Sequence, residues 1–235
     1  VLVSRKAAGT LFVGGALATT LGALLYPSML GVQRVSSEPE LVIAHPATGP
    51  LTQADRDFVV KVRSAGLWEY PVGQMALKKG ATKPVKAVAE QLIAGDATLD
   101  AADRKAAAQL GITLPNQPSP QQQGFVTRLN GDRGKQFDTD LATILRATNG
   151  QMLATIASVR TTTRNSLVRD LADLANGTVL DHLTTVEKTG LVDFDQALSL
   201  QSTAPQTPPP PAAGQPQVVL TPPAHTTVAP SPTVR

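Results

Sequence analysis

The 235-residue chain contains no cysteine. Disulfides, thiolate metal sites and cysteine nucleophiles are therefore excluded. Aromatic residues are scarce, at 3%. The abundant Ala, Leu and Val suit a helical core of small and medium side chains better than a sheet sandwich. A charge excess of one sign is also lacking. The formal balance is +3, and Lys and Arg are scattered along the chain, so no basic patch marks a nucleic-acid partner. Two of the three histidines, His45 and His225, fall in segments read below as linker and tail. With no Ser-His-acid spacing and no glycine-rich phosphate loop, hydrolase chemistry is not expected.

One long apolar run is present near the N-terminus. Arg5 and Lys6 precede a stretch from Ala7 to Leu30 without a charged residue. As a helix it is long enough to span about 30 Å of hydrocarbon. The basic pair lies on its N-terminal side, and Glu38 and Glu40 follow soon after Arg34. The positive-inside rule then places the N-terminus in the cytoplasm and the rest outside. The expected location is the cell membrane, as a single-pass protein anchored through residues 1–30. The alternative is a signal sequence whose cleavage gives a secreted chain. That reading wants a shorter apolar core and a small-x-small site, whereas "LLYPSML" ends the run with bulky residues.

Residues 31–50 read as a polar linker carrying Pro39, Pro46 and Pro50. Residues 51–194 read as one compact unit. Residues 195–235 are rich in Pro and Thr and nearly uncharged. Such a segment buries too little apolar surface to offset its ordering entropy, which predicts a disordered, extended tail.

Four helices can be read in the compact unit. Thr52 caps the first, with Asp55 completing a capping box, and Gly80 stops it. Pro71 inside it removes a backbone donor and should kink it around Leu67. Thr82 caps the second, with Pro84 in its first turn, and Gly111 followed by Ile112 ends it. The connection to the third helix holds room for one short helix. The third runs from about Asp132 to Thr161. Asn165 caps the fourth, which ends at Gly190. No stretch alternates with period two long enough for a convincing strand. Short links between long amphipathic helices argue for an all-α, antiparallel four-helix bundle.

Each helix offers one polar side chain on its apolar face. Glu69 shares a face with Val62, Gly66, Val72 and Ala76 on the first. Asp96 lies among Val88, Leu92 and Leu99 on the second, with Asp100 one turn on as an accessory. Asn149 sits on the stripe of Leu145, Met152, Ile156 and Val159 on the third. His182 sits among Leu171, Ala175, Val179 and Val186 on the fourth. Facing helices that supply carboxylates and histidines to a bundle core are how carboxylate-bridged metal sites are built. The other outcome is a buried hydrogen-bond network without metal. A two-metal centre needs four carboxylates and two histidines, more than this set supplies.

The segments "DRDFVVKVRSAGLWEYPVGQMA", "LGITLPNQPSPQQQGFV", "GKQFDTDLATILRATNGQ", "VRTTTRNSLVRDLA" and "VLDHLTTVEKTGLVDF" resemble the bacterial family of unknown function labelled predicted outer membrane protein. The likeness is closest to its actinobacterial branch, and "AGLWEYP" and "EKTGLVDF" are its more specific parts. The resemblance implies a ferritin-like bundle that is exported and has no established enzymatic activity. It also implies a histidine on each of three helices. Asp96 and Asn149 stand where two of them would be, and His182 keeps the third. Glu69 matches the acidic position of the first helix. By this likeness Asn149 is a substituted interior histidine, kept polar so that it still hydrogen-bonds, and Gly150 lets a neighbouring helix approach.

The expected function is a binding or scaffold role in the cell envelope. The membrane and an envelope protein are the expected partners, and no cofactor is expected. The alternative is a metal-binding or redox protein of ferritin-like type, holding iron, zinc or manganese through Glu69, Asp96 and His182.

Overall fold

The computed structural model describes residues 41–222. The charge-free run from Ala7 to Leu30 lies outside them. Among the described residues no helix is long and apolar enough to cross a membrane.

The described chain is mostly helical. A two-stranded antiparallel ribbon, β1 (Val42–Ala44) and β2 (Leu51–Thr52), leads directly into α1 (Gln53–Lys79). Then follow α2 (Lys83–Leu110), α3 (Pro120–Gly131), α4 (Gly134–Thr162), α5 (Ser166–Glu187) and α6 (Phe194–Gln201). The helix ends are set by local chemistry. Thr52 and Asp55 form the reciprocal capping box at the start of α1, and Ser119 with Gln122 does the same for α3. Asn165 accepts from the backbone of Leu167 and Val168 to open α5. At the end of α2, Gly111 turns left-handed at φ 66° and the Ile112 amide closes back on the Ala107 carbonyl. Thr82 stands at the N-cap of α2 without a side-chain bond, and Pro84 occupies the first turn. α1 continues through Pro71 as one helix.

The four long helices pack α1 on α2, α2 on α5, α5 on α4 and α4 on α1. Their apolar side chains form two clusters. One gathers Phe58, Val62, Leu110, Ile156, Val159, Val168 and Leu171. The other gathers Trp68, Val72, Leu92, Leu129, Phe137, Leu141, Leu145 and Val186. α1 and α5 run from the first cluster to the second, whereas α2 and α4 run from the second to the first. The directions are thus up, down, down, up. The link from α2 to α4 must therefore return along the length of the bundle, and α3 lies in that link.

Three boundaries differ from the sequence expectation. The linker expected over 31–50 is part of the domain from residue 41, because β1 pairs with β2 and the 48–49 turn is bonded to the α4–α5 corner. There Asn165 Nδ2 donates to Thr48 Oγ1 and the Gly49 carbonyl. The tail expected to be disordered from residue 195 instead forms α6 and then a strap that lies on the bundle through residue 222. Leu220 within the strap is buried. Proline and threonine content hid this, because the strap is held mainly by its backbone rather than by its side chains. The last long helix ends at Glu187, with Gly190 left-handed in the turn after it.

Candidate functional site

On each long helix the inward polar residue falls between the two apolar clusters. Glu69 follows Trp68 on α1, Asp96 separates Leu92 from Leu99 on α2, Asn149 separates Leu145 from Ile156 on α4, and His182 separates Val179 from Val186 on α5. All four are buried. One ligand-type atom each from Glu69, Asp96 and His182 lies within 4.8 Å of the others. Asn149 Nδ2 donates to both Glu69 carboxylate oxygens at 3.3 Å, and to the Leu145 carbonyl at 3.1 Å. The four helices thus bring these residues into one layer.

His182 Nδ1 lies 3.6 Å from Glu69 Oε2, beyond a good hydrogen bond. The other ring nitrogen, Nε2, rests against Gly95, where a Cβ would sit 2.7 Å away. Neither Nε2 nor Asp96 Oδ2 has a hydrogen-bond partner among the described residues. Burial pushes Asp96 well above the usual carboxylate range, and the Glu69 charge adds to this while His182 opposes it. Burial also works against the charged form of His182. The Glu69 carboxylate, the charge of Asp96 and the nearby Gln91 carbonyl outweigh that, so the ring holds its proton more tightly than a free imidazole. A cavity of about 20 Å³ borders Glu69, Asp96, Asn149 and His182, room for one water-sized occupant. A second cavity of about 70 Å³ shares Ala65, Glu69 and Met152 with it and extends to Lys61 and Pro205 at the surface.

Asp100 belongs to a different cluster. It pairs with the buried Arg63 of α1 and with Arg104 one turn on, and it accepts from the Leu220 amide. Asp103, wholly buried beside this network, has no hydrogen-bond partner on either oxygen among the described residues. Burial raises its carboxyl well above the ordinary range, and the opposing pull of Arg63 and Arg104 does not cancel this. Gly150 does let a neighbouring helix approach, and that helix is α6. A Cβ there would run into the Gln201 side-chain amide.

Sequence reasoning missed Gly95, Arg63 and Asp103. Gly95 did leave a signal, since a glycine in a helix interior costs about 1 kcal/mol relative to Ala and so points to close packing. Arg63 and Asp100 are 37 residues apart, and no local pattern announces such a pair.

The fold and this layer define a helical bundle with a buried carboxylate–histidine cluster. A family model described as "Domain of unknown function (DUF4142)" matches residues 41–189, and the chain belongs to that family. Neither the curated proteins nor the solved structures include a significant match to it.

Proposed function

We propose that the protein binds one divalent transition-metal ion in its interior, through Glu69, Asp96 and His182, with Asn149 orienting Glu69. The observation that supports this most is the 3.6 Å separation of His182 Nδ1 and Glu69 Oε2. It is too long for a good hydrogen bond and close to the roughly 3.4 Å expected between two ligand atoms about 2.1 Å from one tetrahedral ion. The unpartnered Asp96 oxygen and the adjoining cavity fit the same occupant. One imidazole and two carboxylates suit zinc, manganese or iron, whereas the Asn149 amide is a poor ligand and serves better as a donor to Glu69. A bound ion supplies the positive charge against which both carboxylates can ionise.

Glu69, Asp96 and His182 come from three different helices, in a bundle with one long crossover, the connectivity of ferritin-like folds. The bacterial and actinobacterial affiliation suggested by the motifs belongs to this reading. So does an exported location, with membrane attachment through residues 7–30; the support for that is the length of the charge-free run and its flanking basic pair. A scaffold role for an envelope partner is the competing reading.

Metal analysis of the full chain purified from cells tests the proposal. Iron, zinc or manganese near one equivalent is expected, falling below a tenth of an equivalent in Glu69→Gln and His182→Ala chains that keep their helical circular dichroism. Sub-stoichiometric metal in the wild-type chain, persisting after titration with each ion, would remove this reading.

A further inference from the structure

The strap that ends the described chain lies in a groove whose side chains bond its backbone. Between Thr203 and Thr221 the chain forms no helix or strand. Asn116, in the α2–α3 link, donates from Nδ2 to the Pro216 carbonyl at 3.1 Å and accepts on Oδ1 from the Val218 amide at 3.2 Å. Arg63 donates to the Val218 carbonyl at 2.7 Å. Asp100 accepts from the Leu220 amide at 3.2 Å, and the Tyr70 hydroxyl donates to the Thr221 carbonyl at 2.8 Å. Val218 and Val219 face solvent, whereas the Leu220 side chain is buried. It lies over Gly66, where a Cβ would approach it to 3.2 Å.

Three of the four groove residues are themselves buried: Arg63 at 1%, Asp100 at 4% and Asn116 at 7% exposure. Buried polar groups need partners, and the strap's main chain supplies them. Arg63 and Asp100 also pair with each other, so they are positioned for the strap by a contact that does not involve it. Main-chain bonds plus one apolar anchor are the ingredients of extended-peptide recognition, in which the backbone gives affinity and the anchor gives selectivity.

We propose that this groove is a binding site for an extended, uncharged peptide, filled in cis by residues 216–221 and open to the same segment of a second copy of the chain. A second copy presents the same leucine anchor at the same spacing, so exchange keeps every contact of residues 216–221 and gives up only those of the tether, among them the Gln121 amide to Gln206 and the Gln151 amide to the Thr203 carbonyl; effective concentration then favours the cis arrangement. The tether allows it. Residues 203–215 can extend to about 43 Å at roughly 3.3 Å each, a little more than the roughly 40 Å length of α1.

Leu220→Asp in the full chain tests this, because it places a charge in the anchor's seat and releases the strap. The L220D chain should keep its helical circular dichroism. It should bind a fluorescent peptide of residues 213–222 saturably by anisotropy. Binding should be at least tenfold weaker to the wild-type chain, whose own strap competes, and to an L220D chain that also carries Asn116→Ala. The same peptide carrying Leu220→Asp should not compete. In sedimentation, a mixture of L220D and N116A chains should give more dimer than either alone, since one supplies the intact groove and the other the intact anchor. A folded L220D chain that ignores the peptide, equal binding by the wild-type chain, loss of helix on Leu220→Asp, or a mixture that stays monomeric would each overturn the proposal.

Discussion

His182 stands directly on Gly95. A methyl group added at residue 95 would lie 2.7 Å from the ring nitrogen Nε2 and 3.0 Å from the Thr178 methyl. The glycine is therefore what lets α5 bring its imidazole down into the polar layer, and the absence of a side chain on α2 is part of the site.

Gly95→Ala is expected to destabilise the protein by about 1–3 kcal/mol, the usual result of overpacking a closed site. It should also shift the His182 ring resonances in an NMR spectrum. Gly177→Ala is the matched control. Gly177 lies within the same pair of packed helices, in α5, but a Cβ there meets nothing within 4 Å among the described residues. It should stabilise by up to about 1 kcal/mol through helix propensity alone. Urea unfolding of both variants checks the pair, and equal effects would mean that the contact at Gly95 has no energetic weight.

Asp103 predicts a pH dependence whose sign is fixed. Its carboxyl is raised in the folded state, so between the unfolded carboxylate value, about 3.9, and the raised native value the native state binds more protons. Its contribution to stability is present in acid and is lost as pH rises through that window. In the metal-free chain Asp96 and His182 are raised as well and act in the same direction. Asp103→Asn removes the Asp103 contribution. The fall in stability of the wild-type chain above about pH 4 should become shallower in the variant when denaturation is measured across pH. Parallel curves would show that Asp103 is not titrating with folding.

Arg63 and Asp100 predict a non-additive pair. Arg63→Met leaves the buried Asp100 with Arg104 and the Leu220 amide but without its buried ion-pair partner, and breaking a buried ion pair from one side costs about 3–5 kcal/mol. Adding Asp100→Asn to it removes the stranded charge, so the double variant should lose less than the sum of the two single ones. A double-mutant cycle by chemical denaturation measures this coupling, and simple additivity would count against a desolvated pair.

Much of the helical layout was legible because the helix ends carry their own chemistry. Thr52 with Asp55, Asn165 and Gly111 with Ile112 each act within a few residues, so a local reading finds them. The inward positions of Glu69, Asp96, Asn149 and His182 were legible for a related reason, since a polar residue on a 3.6-residue apolar stripe stands out. What could not be read depends on long-range contact. Arg63 looks like any helical arginine until Asp100 and the strap are placed beside it. The Pro- and Thr-rich stretch around Leu220 has the composition of a free tail, and the main-chain groups that hold it down carry no sequence label. Asp100 looked like an accessory to Asp96 because it lies one turn away, yet it faces Arg63 and the strap.

The polar layer also fixes how the rods are aligned. Glu69, Asp96, Asn149 and His182 come one from each long helix and meet at a single level, with greasy side chains above and below. If any one helix slid by a turn, about 5.4 Å, its polar group would be driven into hydrocarbon and its three counterparts would lose a neighbour. Purely apolar seams tolerate such slippage far better. Whatever occupies the layer, its position midway along the bundle makes it a vernier that admits one axial setting and rejects the next.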